Sequence, residues 1–393
     1  MSEEANESRG VLRSSGRICI FITLAILFVP LSTRPQTVDF RGQVSAWLGA
    51  SFQRGRAIPA GLRYIPTFSM KTAVSPTWNF DVEAAANAFL SADLNAGLGS
   101  RRGEIKPYRL WARLTTDRFE ARFGLQKINF GPAQLLRPLM WFDRLDPNDP
   151  LQLTDGVTGL LLKYTFQNNA GLWMWGLFGN SERKGWEAFP TRREIPEIGG
   201  RAQVPVLGGE IGATFHLRRL DAFHGLLPVD AAERTAVPET RLGLDGYWDL
   251  GPGIWFEATL TRQDFSVSPY RFQKALNVGF ENSFAVGGGL HVLAEHLVFQ
   301  SSLDLGKPGS TRSLSALSVD FPLGLLDRLR GVVFRDWTNG DGYHLLTWQR
   351  TYDRWSIFAI AFWNPDRYGL YGGSRESYLF AGKGFQVMLV WNH

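Results

Sequence analysis

From residue 38 to residue 391 the chain alternates between apolar and polar positions. In 38–52, Phe40, Gly42, Val44, Ala46, Leu48, Ala50 and Phe52 share one face, and Arg41, Gln43, Ser45, Trp47, Gly49 and Ser51 share the other. The same pattern recurs in 79–93, 105–115, 157–166 and 207–217. A period of two with one apolar face predicts half-buried strands. Many runs reach the ~9–11 residues that a membrane barrel strand needs, whereas globular strands average ~5–6. Aromatic residues sit near strand ends, among them Phe40, Phe52, Trp78, Phe166, Trp248, Trp337, Trp355 and Trp363, where interfacial girdles would require them.

Connection lengths add an independent signal, because bacterial barrels alternate short periplasmic turns with longer outer loops. If 38–52 runs outward, then 53–60, 94–103, 128–156 and 181–204 fall on the outer side, while 72–77, 116–118 and Asn168-Asn169 fall on the inner side. The phase requires one more strand near 222–227, with its outer loop at 229–238. The pattern therefore predicts an all-β transmembrane antiparallel β-barrel of eighteen strands, with sixteen as the fallback.

One connection stands apart. The segment 128–156 carries Pro132, Pro138, Pro147 and Pro150, which cannot continue a ladder, together with Arg137, Asp143, Arg144, Asp146 and Asp149. A loop this long and this rich in charge is usually functional or disordered; here it is expected to fold into the barrel and narrow a pore. On the adjacent strands, the faces opposite the apolar ones place Asp81, Glu83, Arg109, Arg113, Glu120, Arg122 and Gln126 on one inner wall, flanked by Arg63 and Lys163. Two readings stay open. The arginines form a basic ladder facing an acidic loop, which would select solutes by charge, or they pair with Asp81, Glu83 and Glu120 and staple the wall.

Composition sharpens this picture at the N-terminus. Arg9, Arg13 and Arg17 precede an apolar run from Ile18 to Leu31. That run is short for a membrane helix and reads as a secretory signal over 1–35, leaving 36–393 as one barrel domain. The single cysteine, Cys19, lies within the signal, so no thiol chemistry is expected of the barrel. A net charge of +5 without a basic run implies no nucleic-acid partner. No metal or other cofactor is expected, since the loop acids lack the order of a calcium loop. The chain shows no HExxH, GxSxG or P-loop, so it is not read as an enzyme. A lipid- or peptide-cleaving barrel would need an outward Ser–His or Asp–His pair, with His216 near Thr214 or His296 with a distant serine as the available starting points.

The terminal run Gly384–His393 places Phe385, Val387, Leu389 and Trp391 on one face. It resembles the C-terminal strand signal of outer-membrane proteins, which implies recognition by the outer-membrane assembly machinery. The stretch Arg122-Phe123-Gly124-Leu125-Gln126, with Asn129-Phe130-Gly131, Pro138, Phe142 and Asp146-Pro147 following, resembles porin-like barrels of the alginate-export and related families. That resemblance implies an outer-membrane channel for small or anionic solutes, with Arg122 and Gln126 as wall residues and Arg137, Asp143 and Asp146 as loop residues. Its partners would be outer-membrane lipid and small solutes, with the barrel acting as a monomer or homotrimer in a Gram-negative-type bacterium. A non-conducting surface anchor or polysaccharide-export factor is the alternative.

Overall fold

The computed structural model describes residues 36–52, 57–95, 101–143, 149–221, 236–265, 270–365 and 380–393. The expected signal over 1–35, Cys19, loop residues Arg144 and Asp146 and the strand expected near 222–227 lie outside the described residues.

Eighteen strands follow one another: β1 (Gln36–Ser51), β2 (Pro59–Ala73), β3 (Asn79–Asp93), β4 (Arg102–Thr115), β5 (Phe119–Gln126), β6 (Val157–Thr165), β7 (Gly171–Leu177), β8 (Glu197–Val206), β9 (Gly209–Leu220), β10 (Val237–Asp249), β11 (Gly253–Gln263), β12 (Phe272–Phe284), β13 (Leu290–Ser302), β14 (Ser310–Pro322), β15 (Asp327–Asp336), β16 (Gly342–Thr351), β17 (Trp355–Trp363) and β18 (Lys383–Asn392). Each pairs antiparallel with its sequence neighbours, and β18 pairs with β1. The sheet is thus closed and has no free edge to satisfy. At the seam, Gly42 and His393 exchange both backbone hydrogen bonds, at 2.9 and 3.0 Å, and the His393 ring lies against Tyr64 and Trp391.

Alternation decides which way each side chain points. On β18, Phe385, Val387 and Leu389 are 40–48% exposed on the outer surface, whereas Gln386, Met388 and Val390 are buried within. The expected apolar faces are outward throughout. Short turns cluster at the barrel end that carries Gln36 and His393, and long connections cluster at the other.

The strand count of eighteen holds, but its composition differs from expectation. The segment 181–204 is not wholly an outer loop, because its last residues begin β8. The turn into β9 is the two-residue Leu207-Gly208, both at positive φ. Two features hid β8 in the sequence: the Gly199-Gly200 pair and Pro205 both read as breakers. Gly199 has a local reason. A Cβ there would lie 2.6 Å from the Trp175 indole nitrogen.

The interior is divided. On β13–β18 the inward positions are mainly apolar, with Leu293, Leu314, Val332, Phe334, Leu345, Phe358, Ile360, Phe362, Met388 and Val390 all buried in one cluster. On β2–β5 and β8–β10 they are mainly polar or charged, while β6 and β7 turn Val157, Leu161, Trp175 and Leu177 inward. Strands β5, β6 and β7 are only 8, 9 and 7 residues long, because the chain leaves the wall after Gln126 and turns into the lumen.

A cation on the lipid face near mid-strand should be costly. Val387→Arg is expected to destabilise the barrel by about 2–4 kcal/mol, measured as a shift in the urea unfolding midpoint in lipid vesicles.

Candidate functional site

A loop inside a barrel has left the ladder, so its backbone N–H groups need other acceptors. Two carboxylates on the opposite wall supply them. Glu257 of β11 accepts the amides of Ala133 at 2.9 Å and Leu139 at 3.0 Å. Glu295 of β13 accepts those of Gln134, Leu135 and Leu136 at 2.5–3.2 Å. Asn277 of β12 donates to the Leu136 carbonyl and to Glu295. Pro132 and Pro138 bracket this segment and have no N–H to satisfy. Gly131 has φ +86°, and a Cβ there would stand 2.3 Å from Glu257 Oε1. Leu135 and Leu136 enter the apolar cluster of β13–β18, while Phe130, Trp141 and Phe142 pack with Trp175 and Leu177 on the other side.

A second inward segment, 178–196, braces the first. Trp186 Nε1 donates to the Arg137 carbonyl at 2.9 Å, the Gly185 amide to Asp143 O at 2.9 Å, and Lys184 Nζ to Gly156 O at 3.2 Å. Glu187 of this segment meets Arg218 and Arg241, both at 2.7 Å, and Glu239 meets the same two arginines at 2.5 and 2.7 Å. The four side chains form a closed, charge-balanced set. Beside it Arg201 binds Asp245 with two hydrogen bonds, at 2.5 and 2.8 Å.

His216 lies under Phe142 with its ring buried. Its Nδ1 is 3.2 Å from Trp175 Nε1 and its Nε2 is 3.1 Å from Glu197. An indole N–H only donates, so Nδ1 accepts and Nε2 carries the proton given to Glu197. Thr214 instead holds Arg201 at 3.0 Å. His296 points outward, with Nδ1 2.8 Å from Ser315 Oγ and Nε2 3.3 Å from Ser313 Oγ.

The wall residues singled out in the sequence face inward, and stapling dominates among them. Arg113 binds Asp81 at 2.5 Å and approaches Glu120 at 3.9 Å, and Arg122 binds Glu120 at 2.8 Å. Glu83 meets Arg41 at 3.4 Å. Arg109 is no free rung: it donates to the Thr154 and Asp155 carbonyls and holds the returning end of the loop. Arg63 lies beside the stacked Trp47 and Phe89 rings, 5.7 and 5.3 Å from their centres, and Lys163 lies 3.8 Å from the Trp173 ring centre. Gln126 is buried and donates to Gly159 O at 3.0 Å.

The expected acidic face of the loop does not form among the described residues. Asp143 turns to Arg137 at 3.6 Å, and Asp155 binds Lys106 at 2.8 Å. Asp149 caps the Leu151 and Leu153 amides, and burial pushes its carboxyl above the usual aspartate range. Lys127, where the loop leaves the wall, is pushed down by burial.

Sequence reasoning missed Glu187, Glu239, Arg241, Glu257 and Glu295. The available signal was parity. Glu257 and Glu295 sit at inward mid-strand positions, the latter between the apolar inward residues Leu293 and Leu297.

No protein family matches the sequence, and no curated protein does. Solved structures share the architecture. OccK5 (OpdH) of Pseudomonas aeruginosa aligns with a TM-score of 0.52 and 12% identity over 91% of this chain and 97% of that one. OmpT, an outer membrane protein of Vibrio cholerae in its trimer form, aligns at 0.51 and 12% over 91% and 99%. Wzi of Escherichia coli, an outer-membrane protein involved in group 1 capsule assembly and a carbohydrate-binding β-barrel, aligns at 0.50 and 11% over 90% and 84%. The likeness shows a porin-like outer-membrane β-barrel fold.

Glu295→Ala should release the loop from the wall. Each amide left without an acceptor costs about 1–3 kcal/mol, so hydrogen exchange at residues 134–136 should accelerate by an order of magnitude or more, with the strand amides largely unchanged. Asp149 makes stability depend on pH. A carboxyl whose folded pKa exceeds its unfolded value contributes stability fully below the unfolded value and loses it as pH rises through the folded one. The urea midpoint should therefore fall as pH rises above the ordinary aspartate range, and Asp149→Asn, which keeps an acceptor for the amides, should flatten that fall.

Proposed function

We propose that the chain forms an outer-membrane channel for passive diffusion of small solutes, with a preference for anions, through the lumen half left beside the docked loop. The outward apolar belt supports insertion in lipid, and the terminal strand supports delivery by the outer-membrane assembly machinery. Short turns would face the periplasm and long connections the exterior. The observation that carries the reading is the division of the interior. The loop packs on the apolar β13–β18 wall and, through Phe130, Trp141 and Phe142, on β6–β7, so passage is left to the charged wall of β2–β5. There, counting Lys163 of β6, the excess is basic: Arg63, Arg109, Arg113, Arg122 and Lys163 stand against Asp81, Glu83 and Glu120, whereas on β8–β10 Arg201, Arg218 and Arg241 are balanced by Glu197, Glu239 and Asp245. Pairing fixes these side chains in place without erasing the excess, which raises the local concentration of anions.

A second reading is a non-conducting barrel that serves as a surface anchor. The extent of the apolar core around Leu135 and Leu136 favours it.

Single-channel recording of the refolded barrel in a planar bilayer separates them. The channel reading expects discrete, small current steps and a reversal potential of anion-selective sign in a salt gradient. A folded but silent barrel would overturn it. Within the channel reading, two basic residues should behave differently. A unit charge about 8 Å from a passing ion in water is worth about 0.5 kcal/mol, with opposite sign for anion and cation, so Lys163→Gln should lower the anion-to-cation permeability ratio about fivefold at low salt with conductance nearly unchanged. Arg109→Ala frees the loop end and should raise conductance and current noise.

A further inference from the structure

The outward face of β13–β15 carries a polar set. His296 of β13 stands opposite Ser315 of β14, which in turn stands opposite Arg335 of β15. Ser313 lies two residues along β14 on the same face, and Trp337 is two residues beyond Arg335. An ionisable side chain on a lipid-facing surface is costly, and its presence there points to a function. We propose that Ser313 and His296 are the nucleophile and general base of an esterase that cleaves the acyl esters of glycerophospholipids. The activity goes beyond conduction and does not require it.

The hydrogen bonds run in the order that acyl transfer needs. His296 Nε2 is 3.3 Å from Ser313 Oγ, and Nδ1 is 2.8 Å from Ser315 Oγ. Trp337 Nε1 donates to Ser315 Oγ at 2.9 Å. A neutral imidazole has one donor and one acceptor nitrogen, so one serine donates to the ring and the other accepts from it. Ser315 Oγ already accepts the indole N–H, and its second lone pair suits it to accept Nδ1–H and fix the ring. Nε2 is then the acceptor for the Ser313 hydroxyl. Ser313 Oγ meets no second polar partner among the described residues, so its lone pairs are open to attack. Nucleophile, base and orienting group thus follow in the order of a serine hydrolase, with a hydroxyl where a carboxylate usually stands. A neutral orienting group stabilises the imidazolium less than a carboxylate does, so turnover is expected to be slow.

Depth and charge select the substrate. Trp337 is exposed just past the long-loop end of β15, where interfacial aromatics sit. Its amide donates to the Ser313 carbonyl at 2.9 Å, which sets Ser313 at the level of lipid ester groups and within reach of water. Arg335 is exposed, lies 5.7 Å from the Trp337 ring centre and meets no acid among the described residues. A guanidinium beside the serines suits the phosphate of a glycerophospholipid, a few bonds from its acyl esters.

Water is the only co-reactant. Ser313 Oγ attacks the ester carbonyl while His296 Nε2 takes its proton. The C–O bond to glycerol breaks as Nε2 passes that proton to the leaving oxygen, and Ser313 is left acylated. Water gives a proton to the same nitrogen and adds to the acyl carbon. The bond to Oγ then breaks, Oγ recovers the proton, and a fatty acid leaves.

The test uses the full chain refolded in lauryldimethylamine oxide, with dioleoylphosphatidylglycerol in mixed micelles as substrate. Oleate release is followed by mass spectrometry, and a fluorophosphonate probe with peptide mapping identifies the reactive serine. Expected are oleate release and probe attachment at Ser313, both lower by about a hundredfold in Ser313→Ala and in His296→Gln. Arg335→Gln should raise KM for the phospholipid about tenfold and leave hydrolysis of p-nitrophenyl butyrate within about twofold. All three substitutions lie away from the loop anchors, and heat-modifiable gel mobility confirms that each variant is folded. No oleate release by the folded wild-type chain would overturn the proposal. So would release that survives Ser313→Ala, which would place it at another group or in a contaminant. Unchanged activity in folded His296→Gln would reduce the trio to a staple between strands, and an unchanged KM in Arg335→Gln would overturn the phospholipid assignment. A silent barrel that cleaves lipid would sink the channel reading and leave this site standing; a conducting barrel without turnover would do the reverse.

Discussion

A polypeptide folded inside a barrel has the same hydrogen-bonding needs as one in the wall, and no strand beside it to meet them. Here the need is met by two acids on the far wall. Glu257 and Glu295 gather the amides of residues 133–139, and Asn277 takes the matching carbonyl. Everything else about the lumen follows from that attachment. The loop is drawn across the barrel, its leucines close the apolar half, and its aromatic residues are left facing β7–β9. Segment 178–196 then has a surface to lie against.

The charged half is built on a different principle. Its arginines are held by neighbouring acids, by aromatic faces or by loop carbonyls, and few are left to move. Rigid, paired charge gives a lumen wall with a fixed field rather than a mobile brush of side chains. It also explains how many ionised groups tolerate burial: the loss of hydration is met largely by a partner at close distance, as in the bidentate contact of Arg201 with Asp245.

Much of the barrel was legible from parity alone. Alternating residues such as Phe385, Val387 and Leu389 can satisfy only one face of a strand, so the lipid-facing surface could be written down residue by residue. Strand β8 was hidden because its signal is carried by Glu197, Arg201 and Gln203 on the inner face, interrupted by a glycine pair whose absent side chains make room for the Trp175 indole. The turn at Leu207-Gly208 was hidden because a leucine is an unusual occupant of positive φ. The loop could be recognised by its prolines and charge, but not its docking. Asp143 and Asp155 looked like an acidic face in the sequence, and only the third dimension shows them spent on Arg137 and Lys106. The anchoring acids lie 118 to 161 residues away from the amides they hold, beyond the reach of any local pattern.

That separation sets the order in which the molecule can be completed. The loop emerges after β5, but its acceptors belong to β11 and β13, so it has nowhere to dock until most of the barrel has been laid down. Seating the loop is necessarily a late event, and until then its amides must be served by water. Once seated, the same connection acts as a spoke. It ties β5 and β6 to the opposite side of the ring, and a closed sheet that could otherwise flex toward an oval is braced across its diameter by its own chain.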